Sequence, residues 1–144
     1  MQKRRLRRSC LRDLRALCSN SSPEIGIPSQ AVFGYCSLMD DTKYVIVTTT
    51  VGTEDRAVEL AHLITASKLA ACVQFWPIRS VYWWQGKMES GAEFILQCKT
   101  QASLVPALQD FIRCHHSYEV PEIIVTPIVG GHTPYLNWIH QETT

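Results

Sequence analysis

The sequence predicts an α+β domain of the ferredoxin-like class, with the element order β-α-β-β-α-β and a short helix at its end. Three observations predict it. Runs rich in β-branched residues alternate with stretches whose apolar residues recur at helical spacing. A tight "QGK" turn joins the two longest strand-like runs. Among the strand-like runs, prolines fall only in those that this topology places at sheet edges.

Taken in order, "KYVIVTTTV", Lys43 to Val51, is a β-branched run bounded by Asp40–Asp41 and Gly52, hence a buried first strand. Thr53 is placed to cap a helix, with Glu54 and Asp55 complementing the dipole of its first turn. Ala57, Leu60, Ala61 and Ile64 then mark the apolar stripe of a helix running to near Leu69. "ACVQFWPIRSVYWW", Ala71 to Trp84, reads as a long second strand interrupted at Pro77, and "MESGAEFILQCKT" returns as the third. Ser103 is the expected cap of the next helix. Pro106 lies in its first turn, where a missing N–H costs least, and Leu104, Leu108, Phe111 and Ile112 form its stripe. "EVPEIIVTPIV", Glu119 to Val129, supplies the fourth strand, and Thr133–Pro134 opens the terminal helix.

In this topology the first and third strands are central. Pro77, Pro121 and Pro127 sit in the second and fourth, where edges tolerate a missing donor. The second and third strands outrun the first, so the hairpin tip projects and carries Tyr82, Trp83 and Trp84 with it. Each such ring can remove on the order of 150–250 Å² from water. An arm of this kind calls for a covering surface, and a copy of the same chain supplies one, so a closed homo-oligomer is expected with these three residues at its interface.

Composition narrows the function classes. The chain has 144 residues, 46% hydrophobic and 19% charged, which suits one globular domain. No apolar run approaches the roughly 20 residues of a membrane helix, and no membrane partner is expected. Residues 1–38 hold seven basic and two acidic residues, whereas 39–144 hold seven basic and eleven acidic. The domain is therefore mildly anionic and unsuited to a phosphate backbone; no nucleic-acid partner is expected. Residues 1–38 read as a poorly packing basic leader ahead of a domain at 39–144. Three explanations of the leader stand: an organellar presequence, a basic arm, or a true start at Met39, whose "MDDTKYVIV" runs straight into a strand. Six cysteines without a C-x-x-C pair point to a reducing, cytoplasmic compartment.

"KLAACV", "VYWWQGKM", "QCKT", "HHSYEVPEIIVTPI" and "YLNWI", in this order and spacing, closely resemble the CutA divalent-cation tolerance proteins. The likeness covers about residues 43–140. It implies a tight homotrimer whose long hairpins lie across neighbouring subunits, a cytoplasmic setting in bacteria, a link to copper and divalent-metal tolerance, and no catalytic reaction. The resemblance also implies metal ligands: a cysteine at the end of the first strand and two adjacent histidines before the fourth. The histidines match His115 and His116; the cysteine position falls on Thr49. A hydroxyl is a poor ligand for copper(I), which leaves an imidazole site suited to copper(II), zinc or nickel. Adjacent residues at a helix end point in different directions, so trimer symmetry, or Glu93 or Glu119 of another copy, would have to complete the ligand set.

Rival classes fare less well. An acylphosphatase would need a phosphate-cradling loop after the first strand, and "TTTVGTED" ends in two carboxylates. An RNA-recognition module would display several aromatics on its third strand, where "GAEFILQCK" offers Phe94 alone. A trimeric signalling protein of the PII kind, holding a small ligand in subunit clefts, is the alternative reading.

Overall fold

The structure, a computed structural model, describes residues 42–144. The expected leader of residues 1–38 and the Met39 start lie outside them. Strand β1 (Tyr44–Val51) leads into helix α1 (Glu54–Ala66), the hairpin β2 (Cys72–Trp84) and β3 (Lys87–Gln101), helix α2 (Val105–His115), strand β4 (Ile124–Pro127) and helix α3 (Thr133–Glu142). The strands form one antiparallel sheet in the order β2-β3-β1-β4. As the prolines required, β1 and β3 are central. The ferredoxin-like expectation is borne out.

Local chemistry accounts for most element boundaries. Thr53 accepts from the Arg56 N–H at 3.4 Å and caps α1, with Glu54 and Asp55 in the first turn. That helix stops at Ala66, before the expected Leu69, because Lys68 adopts a left-handed φ of 59°. The Leu69 N–H then reaches the Ile64 carbonyl at 3.2 Å and the Lys68 N–H the Thr65 carbonyl at 3.0 Å, a Schellman closure with lysine where glycine is usual. At the hairpin tip Gln85 and Gly86 have φ of 51° and 78°, the type I′ pattern that suits a two-residue turn between twisted strands.

Three further expectations need correction. β2 runs unbroken through Pro77, which pairs with Phe94; on an edge strand part of the N–H row has no partner to lose. Ser103 does not cap α2. It lies inside a 3-10 turn, Ala102–Leu104, that feeds directly into the helix, so Leu104 takes the cap position without a side-chain bond and Pro106 sits in the first turn. β4 is only Ile124–Pro127, since it pairs only with Val45–Thr48 of β1 and residues 119–123 carry no ladder. Pro121, with no N–H to give, falls in that unladdered stretch.

Helices α1 and α2 cover one face of the sheet. Val45, Val47, Val51, Leu96 and Cys98 meet Leu60, Ile64, Leu108 and Ile112 there, all essentially buried. The predicted stripe of α1, Ala57, Leu60, Ala61 and Ile64, is buried throughout. Helix α3 packs on the opposite face. Its Ile139 is fully buried outside the main core, and Gln101, which alternates with the core-facing Thr100, donates to the Thr143 hydroxyl at 2.8 Å and accepts from His140 Nδ1–H at 2.8 Å. Lys68 joins α3 to the end of α1 through an ion pair with Glu142 at 3.2 Å.

Thr49 is the exception within the core. Its side chain is 0% exposed, lies among the residues of β1 that face the helices, and its hydroxyl has no hydrogen-bond partner among the described residues. An unpaired buried hydroxyl carries a desolvation cost of about 1–3 kcal/mol. Thr49→Val keeps the branched shape and removes that cost. A thermal melt should therefore show Thr49→Val unfolding several degrees above the parent; a midpoint at or below the parent's would mean that the hydroxyl is satisfied.

Candidate functional site

The three positions implied as metal ligands lie at the same end of the sheet but do not converge. Thr49 points into the core between sheet and helices, where it has no solvent contact. His115 closes α2 and His116 is its C-cap, so the two side chains leave the chain in different directions.

His115 is exposed and lies over the ring of Phe111, centroids 4.1 Å apart, with Nδ1 2.8 Å from the Phe111 carbonyl oxygen. A carbonyl only accepts, so Nδ1 carries the proton and Nε2 keeps a bare lone pair. That is the form in which imidazole binds a metal. The half-buried histidine of the pair is His116. Its Nε2 is 2.8 Å from the Thr50 carbonyl and must donate to it, while Nδ1 accepts the Tyr118 N–H at 3.0 Å. Both nitrogens are committed. The Arg56 guanidinium bonds the His115 carbonyl at 2.8 Å, which satisfies one of the terminal carbonyls of α2, and also pairs with Glu59.

Electrostatics follow the burial. His116 is held below the ordinary histidine value of 6.5, first by desolvation and further by nearby Arg56; the Thr50 carbonyl and Glu93 pull the other way. The Tyr118 phenol is pushed up to about 12 by desolvation and by its hydrogen bond to Glu93, 2.8 Å away, with Tyr82 adding to the shift. Sequence reasoning passed over Tyr118. The "HHSY" spacing was the available signal, since a chain turning back at a helix end leaves residue i+2 within reach of the capping ring.

A divalent cation needs three or four ligands. Among the described residues no group of three His, Cys, Asp or Glu side chains comes together. The ligand pattern implied by resemblance therefore does not fit within one chain, and one open imidazole nitrogen, that of His115, is what this end of the molecule offers. Two open depressions elsewhere share Thr42, Lys43 and Tyr44 in their lining and include neither His115 nor His116.

The projecting hairpin is the other candidate surface. Trp83 is 71% and Trp84 55% exposed, with Val81, Tyr82 and Met88 exposed beside them. All three residues expected at an interface lie on this uncovered ribbon.

The family model of the CutA1 divalent ion tolerance protein matches residues 45–142, nearly all of the described domain. The chain belongs to the CutA1 family. Mouse Protein CutA is 48% identical over 91 residues, which is 62% of this chain and 51% of the mouse protein. The divalent-cation tolerance protein CutA of Salmonella newport is 40% identical over 97 residues, 67% of this chain and 84% of the bacterial one. The chain thus spans about half the length of the mammalian CutA proteins it matches and most of the bacterial one. Among solved structures, CutA1 from Oryza sativa superposes with a TM-score of 0.70 at 42% identity, covering 72% of this chain and 95% of that one. The Archaeoglobus fulgidus structure described as a periplasmic divalent cation tolerance protein CutA gives 0.69 at 33% identity, covering 70% and 99%. The family match spans β1 to α3, so the hairpin and the His115–His116 segment both lie within the shared domain.

The lowered His116 value sets a pH dependence. The folded state favours the neutral ring, so the unfolded chain takes up the proton first as pH falls. His116 should contribute fully above about pH 6.5, the unfolded value, and its contribution should be lost as pH drops from there through the lower folded value. Denaturant titrations from pH 8 to 5 should show this fall in the parent and a shallower one in His116→Phe; equal slopes would place the ring in water.

Proposed function

We propose that this CutA1-family chain acts in divalent-cation tolerance as a homotrimer that meets copper(II) or a similar cation through imidazole and catalyses no reaction. The observation that carries the assembly is the exposed ribbon. Large rings left 55–71% accessible on a two-stranded arm are an apolar surface that a soluble chain covers with a partner. Closed symmetry lets each copy supply both the arm and the surface beneath it. Naming of relatives as divalent-cation tolerance proteins supports the metal role.

In this reading His115 is the residue that meets the cation, through its outward Nε2, and several copies or a carboxylate of a neighbour complete the ligand set. His116 could join only by giving up its bond from Tyr118. Zinc, nickel and copper(II) all accept nitrogen donors of this kind.

Light scattering at micromolar concentration should return about three times the chain mass of 16.3 kDa. Trp83→Ala or Trp84→Ala should shift the protein toward smaller species, with a loss of about 3–5 kcal/mol for a ring that assembly buries. A compact, stable single subunit would end the proposal. Calorimetry with copper(II) should show binding by the parent that His115→Ala weakens at least tenfold and His116→Phe leaves within about threefold. Unchanged binding by His115→Ala would remove that residue from the site.

A further inference from the structure

β1 ends at Val51, opposite Phe94. From there outward the hairpin continues as a ribbon of two strands, Ile78–Trp84 against Lys87–Glu93, with no third strand alongside among the described residues. Glu93 is thus the first residue of β3 beyond the sheet proper. At this root the structure supplies a lateral brace. His116 donates from Nε2 to the Thr50 carbonyl at 2.8 Å, accepts the Tyr118 N–H on Nδ1 at 3.0 Å, and Tyr118 Oη donates to Glu93 Oε1 at 2.8 Å. Three bonds in series run from the end of β1, through an imidazole and a phenol, to the base of the ribbon.

The fit around the brace is close. The His116 and Tyr118 rings meet edge-on at 5.1 Å, and a Cβ at Gly52 would come 3.2 Å from Tyr118 Oη. Glycine at the end of β1 is what lets the phenol pass over to Glu93. Neither His116 nor Tyr118 belongs to the buried core, which closes between the sheet, α1 and α2 without them.

We infer that His116 and Tyr118 are positioning residues for the aromatic ribbon: through the Tyr118–Glu93 hydrogen bond they set the direction in which Tyr82, Trp83 and Trp84 leave the sheet. A ribbon held in one direction before association loses less freedom when it docks. This consequence for assembly rests on the trimer proposed above; the brace itself does not.

Hydrogen exchange on the full chain tests it. Tyr118→Phe deletes only the hydroxyl. Losing one hydrogen bond at the root should speed exchange of ribbon amides between Ser80 and Gly91 roughly three- to tenfold. Amides of β1 and α1 should exchange as in the parent. His116→Phe should act in the same direction. Glu93→Gln, whose side-chain carbonyl still accepts from the phenol, should keep parent-like protection, whereas Glu93→Ala should not. Ribbon exchange in Tyr118→Phe equal to the parent's overturns the inference, as does a speed-up spread evenly over the whole domain. Light scattering on the same samples separates the two readings. A monomeric parent ends the trimer proposal while the exchange comparison still decides the brace. A trimeric parent with unchanged ribbon exchange ends the brace alone.

Discussion

The controlling constraint in this molecule is a mismatch of strand lengths. β2 and β3 are 13 and 15 residues long, whereas their neighbour β1 has only eight. Inside the sheet, β3 is hydrogen-bonded on both sides and one face is sealed by α1 and α2. Outside it, the same two strands have only each other, and a bare two-stranded ribbon is marginal in water. Both the aromatic tip and the polar brace at its root become intelligible from this one fact. The core needs neither.

One residue type serves two ends at the close of α2. His115 and His116 are neighbours in sequence, yet a change of backbone from helical to extended at the C-cap sends them apart. One stacks on Phe111 and leaves a nitrogen facing water. The other turns inward and spends both nitrogens on the backbone of β1 and of its own loop. Thr49, which the resemblance set beside them, is sealed in the core between the sheet and the helices. Resemblance grouped the three; backbone direction separates them.

Much of the architecture was legible in the residues. Strand order followed from the element order, and proline placement agreed with it, because a missing N–H is tolerated at an edge: Pro77 and Pro127 lie in the two edge strands. The α1 stripe followed from its 3.6-residue period, and the tip from "QG". What was misread lay where tertiary contacts override local preference. Ser103 is a good cap by type, but the chain tightens into a 3-10 turn there. The whole run from Glu119 to Val129 looks extended by composition, but only Ile124–Pro127 find partners in β1. The difference between the two histidines gave no sequence signal: the stripe of α2 runs out before His115, and His116 takes the interior role only because the backbone turns at the C-cap. Tyr118 gave almost no signal, because its partner Glu93 is 25 residues away and on another element.

Helix α3 has a consequence of its own. It occupies one end of the sheet face that α1 and α2 leave open, anchored by Ile139, by the Gln101 bonds and by Glu142 reaching Lys68. Anything laid flat on that face must stop where the helix begins, leaving only the half nearer the ribbon, with Trp76, Ile95 and Ile124, open to contact. The C-terminal segment is in effect a built-in ruler: it fixes how far a neighbouring surface can slide along the strands before meeting a wall.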